Sequence, residues 1–365
     1  VCGRAGGRYR LSNLQQRLLR PVLGDGLTVA EGRSWALQRK LAGRLMPSRL
    51  SEARAGTAQA RIDAALDEFT AQGARVAARP LTDGLVALSI DLIAQVVFEH
   101  DPRVASQAVL AAITRHREQA EAPDWRDAAG FSPQWSSVRM RRSHRIAHSL
   151  DDEIAASIRA ALARPSSADG DRVTFGRDFV VSLIAGFESI TATTLWLLLV
   201  CALDRTLQDS LRRALADEDP AQLQPQRGQA PGVADAWLAE LLRLYPPLPL
   251  VFRVATKDDE TPAGPIPRGA MVCISPWIVH RHQALWVDPE RFDLERHRRD
   301  GADLRGYMPF GVGARRCVGM HVGNHLVKAI ARRLLARFEV STNVTCMPAP
   351  RASMTCGRRW TSRSG

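Results

Sequence analysis

"PFGVGARRCVGMHVG", residues 309–323, decides how the rest of the chain is read. Cys317 follows Gly311 and Gly313, with Arg315 and Arg316 directly before it and Gly319 two places after. Glycines allow backbone conformations that other residues resist, and let the chain approach a flat ligand closely. Backbone N–H groups aimed at one sulfur, with positive charge nearby, stabilise a thiolate. The apolar spacing of "HVGNHLVKAIARRLLARF" predicts a helix just after the cysteine, whose N-terminal end adds partial positive charge. A phosphate loop would end in Gly-Lys-Ser/Thr, which is absent here. The plain alternative is a buried structural thiol beside a turn.

The 365 residues suit one large domain or two small ones. With 45% hydrophobic and 24% charged residues, the composition is globular, and the chain is long enough to enclose a bulky cofactor. The net charge of +12 is carried almost wholly by arginine, since lysine occurs only at 40, 257 and 328. That charge suits an acidic partner. The arginines are scattered and no zinc-finger, helix-turn-helix or RNA-binding signature occurs, which argues against nucleic acid. Six cysteines without a C-x-x-C pair argue against a zinc cluster or disulfide framework and fit a reducing cytoplasm. "VCGRAGGRYRLSN" has no apolar signal core.

Apolar spacing predicts helices over residues 14–70 and 80–120, and a basic amphipathic stretch over 136–163. Residues 121–135 and 163–172 read as loops. "DFVVSLIAGFESITATTLWLLLVCALDR" (178–205) is the most apolar stretch and long enough to cross a bilayer. Glu188 near its centre argues instead for a long helix buried in a large domain. "WLAELLRLYPP" predicts a helix ended by two prolines. Residues 250–280 predict short strands, "PLVFRVAT" and "AMVCISPWIV", around the turn "PAGPIPRGA".

The cysteine string matches F-x-x-G-x-R-x-C-x-G at every fixed position: Phe310, Gly313, Arg315, Cys317 and Gly319. It resembles the haem-binding signature of the cytochrome P-450 family, the haem-thiolate monooxygenases. The resemblance implies haem b with Cys317 as axial iron ligand, whose thiolate pushes electron density that favours O–O cleavage. It implies that Phe310 screens the sulfur and Arg315 pairs with a haem propionate. It also implies a mainly α fold with small β-sheets, forming one domain over 1–365.

Other strings resemble the same family in the same order. Glu240 and Arg243 in "ELLR" lie three apart on one helix face and resemble its E-x-x-R motif. Alone, such a pair would be a weak surface ion pair. "DPERFDLERH" resembles the doubled segment that supplies a second arginine. The layout implies Arg296, with His297 in place of an aromatic and Arg291 as runner-up. "AGFESITATT" resembles the oxygen-binding helix: Ala185 and Gly186 leave room for dioxygen, aided by a local widening of the helix. Glu188 and Ser189 stand for the acid–alcohol pair that relays protons. Serine there keeps the hydroxyl but not threonine's stiff rotamer. A peroxide-driven member would tend to lack that pair. Trp35 and Arg39 resemble W-x-x-x-R, and Arg253 stands where another propionate contact is common.

The likeness covers roughly residues 20–345, and Trp35 comes far earlier than the family's pattern. The expectation is that part of the N-terminal β-rich region and much of the substrate loop are missing, by truncation, a misassigned start or natural reduction. The implied activity is insertion of one atom of O2 into an apolar small molecule. Electrons would come from a separate ferredoxin or flavodoxin-type donor, steered by Arg33, Lys40, Arg44 and Arg316. The alternative is a haem-binding but catalytically degenerate member. Phe187, Ile190, Leu248, Leu250 and Val251 are the expected apolar pocket lining. No membrane span and no nucleic acid partner are expected.

Overall fold

Ser12 ends a short strand and caps the first helix, its hydroxyl accepting from the Gln15 N–H at 3.1 Å. The computed structural model describes residues 7–46, 51–71, 78–98, 182, 185–217, 231–299, 304–345, 347, 351–352 and 356–357. The described elements are mostly helical, with small sheets. The expected features at 99–120, 121–135, 136–163 and 163–172 lie outside the described residues.

Two compact units are resolved. The first contains β1 (Tyr9–Leu11), α1 (Asn13–Leu23), α2 (Gly32–Leu45), β2 (Val251–Ala255) from Phe252 onward, β3 (Asp259–Thr261), β4 (Gly264–Ile266) and β5 (Met271–Ile274) to Cys273. β1 and β2 pair antiparallel, with Tyr9 opposite Ala255 and Leu11 opposite Arg253, and β5 lies on the other side of β2. β3 and β4 form a hairpin. The Glu31 carboxylate accepts from the Leu11 N–H at 2.7 Å and from Gln16 Nε2 at 3.2 Å. It thereby ties strand and first helix to the entry of α2.

The second unit holds α3 (Glu52–Ala71), most of α4 (Ala78–Phe98), α5 (Phe187–Leu203), α6 (Arg205–Asp217), α7 (Val233–Leu244), α8 (Pro276–Val279) and α9 (Met320–Arg337). α9 lies against α5, α6, α3 and α7. Ile62, Leu66, Trp237, Leu241, Leu326 and Ile330 are fully buried there. Each such aliphatic side chain contributes roughly 1.5–3 kcal/mol by leaving water. Polar ties set the register of α9. Lys328 Nζ meets Asp235 at 2.8 Å, Arg333 Nε donates to Asp63 at 2.7 Å, and the Leu335 carbonyl accepts from Arg212 Nε at 2.7 Å.

Three sequence expectations need correction. The second strand of 250–280 stops at Ile274, and "PWIV" is a helical turn, because Ser275 caps it and Pro276 sits at its first position. The expected turn "PAGPIPRGA" instead contains strand β4. The long apolar helix is not continuous either. Ser182 is helical, Ala185 and Gly186 form a turn, and α5 runs from Phe187. Glycine is a poor helix former, and the break places Glu188 in the first turn of α5, where a carboxylate meets the helix's positive end.

Candidate functional site

α7 is buried almost throughout, so its two charged residues near the C-terminal end must find partners inside the protein. One carboxylate satisfies most of them. Glu240 accepts from Arg243 through both oxygens, at 2.7 and 2.8 Å. Arg296 Nε lies 3.2 Å from Oε1, the Asp293 N–H 3.0 Å from Oε1, and His297 Nε2 3.0 Å from Oε2. Desolvation pushes this carboxyl up, but hydrogen bonds from Arg243 and His297, with the Arg243 charge, pull it further down, to about 2.

The arginines are equally committed. Arg243 Nη1 donates to the carbonyls of His280 at 2.7 Å and Pro289 at 2.6 Å, and Nη2 to that of Arg291 at 3.1 Å. Arg296 donates to the carbonyls of Val287 and Asp288, at 2.7 and 3.3 Å. Arg296, not Arg291, therefore brings a guanidinium to Glu240; Arg291 offers a carbonyl and its side chain is exposed. His297, noted in the sequence only for replacing an aromatic ring, is a direct partner of the carboxylate.

His280 has no sequence signal. It is completely buried, while His282 two residues on is exposed. Its Nδ1 lies 2.9 Å from the Arg243 carbonyl, and its Nε2 accepts from the Met308 N–H at 2.9 Å. Burial lowers its basicity to about 4, so it is neutral at pH 7. Pairing with a residue 28 positions away is not legible in a local string.

The cysteine loop follows directly from Met308. Gly311 and Gly313 take φ of +68° and +73°, the left-handed region open to glycine. The Cys317 N–H donates to the Phe310 carbonyl at 2.9 Å, and the Gly311 N–H to the Met308 carbonyl at 3.0 Å. Gly319 then caps α9. Cys317 is an exposed thiol in no disulfide, Phe310 and Arg315 are half-buried, and a methyl group built on Gly311 would meet nothing within 4 Å. The loop thus carries one exposed sulfur donor, with open space beside Gly311, at the N-terminal end of an 18-residue helix.

In α5, Glu188 is half-buried and Ser189 exposed, and Thr193 Oγ1 donates to the Ser189 carbonyl at 2.7 Å. Thr191 shares a hydrogen bond of 3.1 Å with Ser89 of α4. Phe187 and Ile190 are buried, Val251 is half-buried, and Leu248 and Leu250 are exposed. In the first unit, Trp35 and Arg39 are half-buried, one turn apart on α2. Arg253, also half-buried, stands opposite Leu11 and donates to the Phe252 carbonyl at 2.9 Å. The exposed residues of the chain include Arg33, Lys40, Arg44 and Arg316. Among the described residues no helix is long and apolar enough to cross a membrane.

Residues 178–357 match the family model described as Cytochrome P450. Cytochrome P450 3A27 of Oncorhynchus mykiss is 31% identical over 167 residues, 44% of this chain and 32% of that relative. The chain thus spans about a third of the length of the first curated relatives it matches. Cytochrome P450 714B1 of Oryza sativa subsp. japonica is 24% identical over 369 residues, 90% of this chain and 68% of that relative. The crystal structure of a 6-coordinated cytochrome P450 from Thermus thermophilus superposes with a TM-score of 0.67 at 21% identity, covering 95% of this chain and 84% of its own. That likeness is one of fold: mainly helical with small sheets.

Proposed function

We propose, on the premise that this chain belongs to the cytochrome P450 family, that it is a haem-dependent monooxygenase. It inserts one atom of O2 into an apolar organic molecule. The observation that carries the reading is the Cys317 loop: one exposed sulfur, two left-handed glycines and a helix N-terminus behind it.

Haem is the family's cofactor, and the residues present fit it. Haem would bring four nitrogen ligands of its own and need one further donor from the protein, which a single thiol would supply. The open face at Gly311 suits a flat macrocycle. Cys317 would hold the iron and Phe310 would screen the sulfur. Arg315, Trp35, Arg39 and Arg253 would bind the propionates, which are the anions that guanidinium groups hold well. When bound, thiolate-ligated haem supplies activation of O2 and transfer of one oxygen atom.

The chain's own groups supply the rest. Ala185 and Gly186 keep the approach to α5 small. Glu188 and Ser189 hold and pass on a proton at the carboxylate and Oγ, which is general acid catalysis. Phe187, Ile190 and Val251 give the substrate an apolar wall and exclude water. The Glu240, Arg243 and Arg296 set is structural, holding the backbone at His280 and between Val287 and Asp293. Residues 1–365 act as one catalytic domain in the cytoplasm. Electrons arrive from an acidic ferredoxin or flavodoxin-type protein attracted to Arg33, Lys40, Arg44 and Arg316, and their transfer weakens as salt rises.

The test is the absorption spectrum of the reduced, CO-bound protein. Thiolate ligation gives a Soret band displaced to long wavelength, and Cys317→Ser removes it. A band at the ordinary histidine–haem position in the wild type would sink the proposal. Product formation with a competent donor separates an active enzyme from one that only binds haem.

A further inference from the structure

We infer that His280 is a positioning residue for the cysteine loop, joining the Glu240–Arg243 pair to the backbone that carries Phe310 and Cys317. The joint is reciprocal on one side. Arg243 Nη1 donates to the His280 carbonyl at 2.7 Å, and the His280 ring returns a bond to the Arg243 carbonyl at 2.9 Å. On the other side the ring reaches Met308.

The partners assign the tautomer. The Met308 backbone N–H can only donate, so Nε2 is the acceptor. The Arg243 carbonyl can only accept, so Nδ1 carries the proton. A neutral imidazole has one donor and one acceptor, and both are used here on backbone. Neither a phenyl ring nor an alkyl side chain of this size offers that combination.

The surroundings hold the ring in place. Tyr307 stacks on it with centroids 5.7 Å apart and planes inclined 21°, and Trp286 meets it edge-on at 6.2 Å. Trp286 is itself fixed by its indole N–H, which donates to the Val279 carbonyl at 3.0 Å. Beyond Met308 the path to the sulfur is short. The Met308 carbonyl accepts from the Gly311 N–H, and the Phe310 carbonyl accepts from the Cys317 N–H. These bonds along the loop run between backbone groups, so the imidazole is a side-chain anchor at its base. A histidine that merely filled the core would not need both nitrogens committed to separate segments.

The inference rests on the haem reading for its spectral arm and not for its other. His280→Phe keeps a planar ring and loses both hydrogen bonds. His280→Gln keeps an amide oxygen as acceptor for Met308. Hydrogen–deuterium exchange of the haem-free chain is read on the peptide covering residues 304–312. In His280→Phe its exchange rises by roughly five- to tenfold, the loss expected for one buried hydrogen bond. The peptide covering 326–335 in α9 stays unchanged, and His280→Gln recovers at least half of the protection at 304–312. In the haem-loaded, CO-bound protein the thiolate-type fraction falls at least twofold in His280→Phe and recovers in His280→Gln. Unchanged exchange at 304–312, or an equal rise at 326–335, would overturn the inference. So would a Gln variant that behaves like the Phe variant. If His280→Phe fails to fold, His280→Gln alone decides, by its 304–312 exchange staying within twofold of wild type. A wild type lacking the thiolate band defeats the haem reading while leaving the exchange result standing.

Discussion

Glu240 and Cys317 sit in opposite kinds of surroundings. Glu240 is wholly buried, and its carboxylate meets two arginines, a histidine and a backbone N–H. Cys317 is exposed, on a loop shaped by left-handed glycines and backbone hydrogen bonds. The first site is expensive to disturb because its charges have been taken from water and are met by one shared carboxylate and by backbone carbonyls. The second keeps its sulfur outward. On the proposed reading, His280 ties the base of its loop to the first, and stability is concentrated at one and reactivity at the other.

The contrast breaks most readily at Glu240. Glu240→Gln leaves Arg243 and Arg296 buried without their counter-charge and lowers stability by roughly 3–5 kcal/mol, measured as the urea midpoint. Acid is a perturbation of comparable size, spread over two residues. Burial holds both His280 and His325 at about 4, below the ordinary 6.5, so they stay neutral in the folded chain. The unfolded chain binds more protons between those values. The stabilisation is therefore full above about pH 6.5 and declines as pH falls toward 4, by up to roughly 3 kcal/mol for each histidine. Glu240 adds its own loss only as pH falls from the ordinary carboxylate range toward 2. Thermal midpoints at a series of pH values check this; a flat profile from pH 7 to 4.5 would contradict it.

Smaller effects sharpen the other half. Gly313→Ala asks an alanine to adopt φ near +73° and costs about 1–2 kcal/mol, read by thermal melting. Cys317→Ser changes the folding free energy of the haem-free chain by less than about 0.5 kcal/mol, as expected for an exposed position, while abolishing the thiolate band. If Cys317→Ser destabilised the haem-free chain as much as Glu240→Gln does, the division of labour between the two regions would be wrong.

Local periodicity carries most of the helices. Most of α1, all of α2 and most of α3 fall inside the predicted 14–70 region, and α7 ends before the prolines expected to stop it. "PWIV" misleads because a short continuous apolar run suits a strand until the Ser275 cap and Pro276 are weighed. Spacing places Glu240 and Arg243 on one helix face, and the resemblance of "DPERFDLERH" to a doubled segment favours Arg296 with Arg291 as runner-up; the bond to Glu240 decides between them. His280 escapes because "VHRHQ" contains two histidines and nothing local says which one is buried. Only the approach of Met308 settles that. The partners of His297 are likewise tertiary, since Glu240 lies 57 residues before it.

Those separations bear on the order in which the molecule assembles. The hydrogen bonds of Arg243 to other segments close spans of 37, 46 and 48 residues, and Glu240 reaches across 56 and 57. Loop closure must precede any return from such contacts, whereas α7 itself forms locally. The carboxylate set is therefore expected to act as a late latch and not a nucleus, which folding and unfolding rates of Glu240→Gln check. Weakening it accelerates escape from the native state and leaves the speed of reaching that state nearly untouched. The residues that make the chain last are different from those that make it fold.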